Sequence, residues 1–223
     1  MEIWYLLLFL ILVPGIIAQI SVQAALSKYS KVPARSGRTG AEAAAELMND
    51  AGIHDVQIAR TDGFLGDHYD PRTKTLALSP AVYDGRSVAA LGIAAHETGH
   101  AIQHQHAYAP LRVRMSVVPT TMFVSQLMPL IIIGGFWFRI SAFITLGIAV
   151  YAVIVLFQLI TLPVEFNASS RAKLILQKSG PIARDEMTGV NRVLNAAALT
   201  YVAALIAAAA QLLQLVLLNR NRR

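Results

Sequence analysis

The sequence predicts a mostly α-helical integral membrane protein, with about four transmembrane helices and a small α+β unit at the membrane surface. Three observations carry that expectation. Of the 223 residues, 55% are hydrophobic and 14% charged, and the mean hydropathy is +0.52, too apolar for an ordinary water-soluble domain. Three stretches, Ile3 to Ile20, Val117 to Ile160 and Asn195 to Leu218, are nearly unbroken apolar runs of at least membrane-crossing length. Residues 39–106 instead mix helix and strand patterns and hold all six histidines.

These features divide the chain into five expected segments: a membrane anchor at 1–22, the mixed unit at 23–115, a transmembrane hairpin at 116–161, a helical segment at 162–193, and a last transmembrane helix with a basic tail at 194–223. The anchor reads as retained. Met1-Glu2 bring no basic residue, the apolar run is long, and no small-x-small cleavage site follows it. Lys28, Lys31, Arg35 and Arg38 come next, and by the positive-inside rule they place the mixed unit in the cytoplasm of a multi-pass cell-membrane protein. Lys and Arg number 10 in 21–115 and 5 in 161–193, against Arg139 and three C-terminal arginines on the other side, so the majority favours that orientation.

Within the mixed unit, Thr39-Gly40-Ala41-Glu42 reads as a capping box opening a helix through Asp50, with Gly52 as its stop. His54 to Ala59 and Lys74 to Ser79 are strand candidates, and Gly63 to Arg72 reads as a loop or turn. Ser87 is the expected N-cap of a helix carrying His96-Glu97-Thr98-Gly99-His100. Only about eight apolar residues precede His96, and Gln103, His104, Gln105 and His106 follow, so this helix is not expected to span the bilayer. Pro119, Pro129 and Gly134-Gly135 argue for two spans in 117–160, turning back near Arg139. Pro163 fits the first turn of the next helix.

The chemistry lies in the histidine helix. His96 and His100 stand one turn apart on one face, where two imidazoles can hold one zinc ion, and Glu97 between them is placed to take a proton from a zinc-activated water. With no cysteine in the chain, disulfides and thiolate sites are excluded, and a third ligand must be histidine or carboxylate. Glu165 is the expected one. It sits at the edge of an apolar span, where an unpaired carboxylate is costly, and a hairpin returns it to the side of His96 and His100. A snorkelling interfacial carboxylate is the plainer alternative. Ser169, one turn on, could support a ligating histidine. His104 cannot complete the set, because ligands at three consecutive turns spread over more than about 10 Å along the axis. His104, His68 and Arg171 remain candidates for neighbouring or substrate contacts.

The net charge of +6 flanks apolar segments and forms no aromatic-laced basic domain, so lipid headgroups are the expected partner and nucleic acid is not.

The segments Asp67-His68-Tyr69-Asp70-Pro71, Ala95 to Gln103, Pro163-Val164-Glu165-Phe166-Asn167-Ala168-Ser169 and Ala196 to Ala204 resemble the YugP-like family of membrane zinc metallopeptidases along nearly the whole chain. More distantly, the order of anchor, metal helix, hairpin and late Glu is similar to HtpX and the CAAX prenyl endopeptidases. The resemblance implies a zincin-like unit with a gluzincin-type site: His96, His100 and Glu165 on one Zn2+, Glu97 as general base, and a peptide or protein substrate, membrane proteins among them. In the distant relatives the ligating Glu is often followed four residues later by Asp, where this chain has Ser169. Two other readings stay open: an intramembrane protease, which would need the motif in a long apolar span, and a non-catalytic zinc-binding membrane scaffold.

Overall fold

A computed structural model describes residues 2–61, 66–138, 141–179 and 181–220. Its elements in order are α1 (Glu2–Tyr29), α2 (Gly40–Asp50), β1 (Gln57–Arg60), β2 (His68–Asp70), β3 (Thr75–Leu78), α3 (Pro80–Tyr83), α4 (Val88–Gln105), α5 (Ala109–Gln126), α6 (Met128–Phe138), α7 (Ser141–Ser179) and α8 (Met187–Arg220). They form two compact units, one made of Met1–Gln19, Arg112–Pro163 and Leu199–Arg223, the other of Ile20–Leu111 and Val164–Ala198.

The first unit is helical and apolar. Among the described residues, three helices are long and apolar enough to cross a membrane: α1, the Ala142–Lys178 stretch of α7, and α8. Their exposed faces carry Ile3, Leu6, Phe9, Ile16, Leu156 and Leu213, which suits a lipid environment. Small residues mediate the helix contacts here, as membrane helices pack where backbones can approach. Ala203, Ala208 and Ala210 are buried, and Gly147 lies under Leu215 and Ile131.

The expected hairpin differs in its first arm, which is two helices, α5 and α6, broken at Leu127 just before Pro129. Neither meets the length and apolarity of a span by itself. Gly134 and Gly135 lie inside α6, Gly134 tight against Phe143, so the glycine pair makes no turn. Arg139, the expected turn region, falls outside the described residues.

Helix α7 also departs from expectation, running unbroken through Pro163 where a new helix was expected to start. In an apolar surrounding, ending a helix strands several backbone groups, while an internal proline removes one donor, so continuity is the cheaper solution. Likewise α1 continues past Ile20 to Tyr29, and α8 begins at Met187, ahead of Asn195.

The second unit contains the mixed sequence. Its sheet has the order β1-β3-β2, with β1 parallel to β3 (Gln57 opposite Thr75) and β2 antiparallel to it (His68 opposite Ala77). Strand β2 lies in the stretch read as a loop; three residues are too short for alternation to show. The capping box is formed, with Thr39 accepting from the Glu42 amide while the Glu42 carboxylate accepts from the Thr39 amide, and Gly52 follows α2 at φ +69°. Ser87 caps α4 by accepting from the Ala90 amide.

Helix α4 is the centre of this unit. One face, Val88, Leu91 and Ala95, packs with Ala172 and Leu176 of α7 and Met187, Val190 and Leu194 of α8. An adjoining face, with Ala94, Ala101 and Ile102, packs with Ala44 and Met48 of α2 and with Leu76 and Leu78 of β3. A helix covered on two faces is apolar nearly all round, which is why α4 reads as a continuous apolar run up to His96.

Candidate metal centre

The motif side chains emerge from α4 where it meets α7. Along α7, Val164, Ala168, Ala172 and Leu176 recur at four-residue spacing and are all fully buried, so this stripe is the contact face. Gly99 of α4 is what allows the two helices so close. A Cβ there would lie 2.4 Å from the Ala168 carbonyl oxygen. Glu165 and Ser169, on the flank of the same stripe, are thereby carried over the two histidines.

Among the described residues, His96, His100 and Glu165 form a group whose potential ligand atoms all lie within 4.8 Å of one another. Glu165 Oε2 is 3.2 Å from His96 Nε2 and 3.5 Å from His100 Nε2, and the two rings meet edge-on, 4.9 Å between centroids. Glu165 and His100 are buried, and the His96 side chain stays 14% exposed. Glu97 is buried beside them at 7% exposure.

The remaining ring nitrogens are engaged. Ser169 Oγ lies 3.1 Å from His96 Nδ1, and Gln103 Oε1 lies 3.0 Å from His100 Nδ1. Each imidazole is thus held at Nδ1 and presents Nε2 toward the carboxylate. Burial alone would push the His100 pKa down, but its hydrogen bond to Glu165 and the nearby Glu97 charge outweigh this, and its pKa is raised. Two histidines, one of them buried, that face a buried carboxylate could hold a metal cation. Two imidazole nitrogens and one carboxylate oxygen are a donor set that suits zinc.

The other sequence candidates have partners of their own. His104 Nδ1 lies 2.8 Å from the Tyr69 hydroxyl, whose pKa is pushed up to about 12 by burial and by Asp55 and Asp70. Arg171 donates from Nε to Asn167 Oδ1 at 2.8 Å and from a terminal nitrogen to His106 Nδ1 at 2.9 Å, and it stacks on Tyr108. His68 is exposed on β2, its Nδ1 3.0 Å from the Gly66 carbonyl. Gln103, fully buried, was missed as a site residue by sequence reasoning. The available signal was its position three residues after His100, on the same helical face.

A family model described as "putative neutral zinc metallopeptidase" matches residues 4–220. The chain belongs to this family. It is also 48% identical over 206 residues to a protein of Bacillus subtilis (strain 168) named "Putative membrane protease YugP", covering 92% of each chain. No solved structure shows significant similarity. Family membership and the His-His-Glu group together make zinc the metal of this site, one ion per chain. The three apolar helices and the membrane-protease relative make it a membrane protein.

Proposed function

We propose that this protein is a multi-pass, membrane-bound zinc metalloendopeptidase with a gluzincin-type site. The observation that carries this reading is the convergence of Glu165, from a helix that runs on from an apolar span, with His96 and His100 of α4. His96 Nε2, His100 Nε2 and Glu165 would hold the ion. When bound, zinc supplies the Lewis acidity that brings a water's pKa down toward about 7 and polarises a peptide carbonyl. Glu97, next to His96 and buried, would serve as the general base, accepting a proton from the attacking water and giving it to the leaving amine. Ser169 and Gln103 fix the two rings so that Nε2 of each faces inward.

Residues 23–115 are read as a zincin-like unit completed by the helix of 162–193, between an anchor at 1–22, a hairpin at 116–161 and a last span from 194 to the C-terminus. Lys28, Lys31, Arg35 and Arg38 support a cytoplasmic face for that unit. The substrate class is peptide or protein, membrane proteins included. Strand β2 is an edge of the sheet and packs beside α4, so an extended peptide has main-chain groups to pair with there. Helix α4 is not among the helices long and apolar enough to span a bilayer, which favours cleavage at the membrane surface over cleavage within it.

The test is Glu97→Gln in purified full-length protein. It should keep one equivalent of zinc and lose about a hundredfold to ten-thousandfold in peptide turnover. Undiminished turnover rejects Glu97 as the base. Tight zinc without cleavage of any peptide or membrane-protein substrate by the wild type would favour the scaffold reading.

A further inference from the structure

The polar side chains around His100 form one directed chain whose ends fix its sense. Arg171 can only donate, so the Asn167 oxygen that receives its Nε at 2.8 Å is unambiguously an acceptor. Gln103 Nε2 donates to that same Asn167 Oδ1 at 3.0 Å and to the Val164 carbonyl at 2.8 Å. Neither group can donate back, so the amide nitrogen of Gln103 must face α7 and its oxygen must face His100. Gln103 Oε1, 3.0 Å from His100 Nδ1, then requires a proton on that nitrogen. A neutral ring with Nδ1 protonated has its lone pair on Nε2, the atom that faces Glu165.

We propose that Gln103 is a positioning residue that sets the tautomer of His100 for metal binding and ties it to the α7 turn carrying Glu165. The proposal rests on the metal-centre reading above and adds to it how the site is assembled. Val164 precedes Glu165 in sequence, so one fully buried side chain spans the ligand of α4 and the backbone beside the ligand of α7. Asn167 and Arg171 act one step out, orienting the amide that orients the ring. This gives Arg171 a supporting task in place of a substrate contact. His106 accepts the far end of the chain, from Arg171.

The experiment uses the full-length protein in detergent, stripped of metal. Zinc affinity is measured by competition with a chromophoric chelator, the visible spectrum of the cobalt-loaded protein reports ligand geometry, and thermal unfolding of the metal-free form reports the fold. Gln103→Leu removes the acceptor for His100 and should weaken zinc by about 10- to 100-fold and change the cobalt spectrum. Gln103→Glu retains an acceptor for Nδ1–H but sets its second oxygen against the Val164 and Asn167 oxygens, so it should lower the unfolding temperature, keep a cobalt spectrum close to that of wild type and weaken zinc less than Gln103→Leu does.

Wild-type affinity and cobalt spectrum in Gln103→Leu would overturn the proposal. So would equal losses in both variants that track a lower unfolding temperature while the cobalt spectrum stays unchanged, since that pattern belongs to a packing residue. A wild-type chain that takes up no zinc, or a His96→Ala chain that takes up as much as wild type, would instead overturn the metal-centre reading.

Discussion

Replacing Gly99 by alanine adds one methyl group at the point where α4 and α7 touch. The new Cβ would lie 2.4 Å from the Ala168 carbonyl oxygen, 3.0 Å from its carbon and 3.2 Å from its Cα, all of them backbone atoms that no rotamer change can move. Restoring ordinary contact requires the helices to separate by about 1 Å, and overpacking of this kind costs about 1–3 kcal/mol, exceeding the roughly 1 kcal/mol that Gly→Ala gains in an unhindered helix. Ala168 lies between Glu165 and Ser169, so the displacement falls on the carboxylate now 3.2 Å from His96 and on the hydroxyl 3.1 Å from it. Ligand distances tolerate about 0.2 Å, and a loss of about 1.4–3 kcal/mol corresponds to zinc binding weaker by about 10- to 150-fold. Gly92→Ala, two turns earlier on the same helix, is the control. Its Cβ would meet Val190 at 3.5 Å, an ordinary contact, so it should leave zinc affinity unchanged and raise stability by up to about 1 kcal/mol. Chelator competition and thermal unfolding measure both. Wild-type zinc affinity and stability in Gly99→Ala would refute the reasoning.

Two more outcomes follow from the site. Ser169→Ala removes the partner of His96 Nδ1 and should weaken zinc by about tenfold with little effect on the metal-free fold; an unchanged dissociation constant would show that the hydroxyl gives the ring no support. The raised pKa of His100 in the metal-free chain predicts opposite pH trends. Pairing of the protonated ring with Glu165 and Glu97 stabilises the metal-free fold fully below the ordinary imidazole value of about 6.5, and that contribution is lost as pH rises through the raised value. Zinc needs the unprotonated ring, so its affinity should tighten over the same rise in pH. Unfolding of the metal-free protein and zinc titrations between about pH 5.5 and 9 separate the two trends, and parallel slopes would contradict them.

The parts legible in the sequence are those set by local rules. The capping box at Thr39, the Ser87 cap and the helical offset of His96 and His100 depend on a few neighbouring residues, and each forms as read. Glu165, which the structure brings beside the two histidines, was singled out by the cost of a carboxylate at the edge of an apolar run together with a hairpin that returns it to their side. What stayed hidden depends on distant partners. The three-residue β2 exists because β3 pairs with it, and Pro163 is tolerated inside α7 because apolar surroundings make a helix end costlier than a missing donor. The role of Gly99 needs the Ala168 carbonyl 69 residues away, and the orientation of Gln103 needs acceptors from α7.

Metal analysis of purified full-length wild type beside His96→Ala and Glu165→Ala tests whether two imidazoles and one distant carboxylate share a cation. Wild type should hold one equivalent of zinc per chain, and both variants should lose it at the same free zinc concentration. Equal zinc in wild type and Glu165→Ala would remove that carboxylate from the coordination sphere and, with it, the site assembled from α4 and α7.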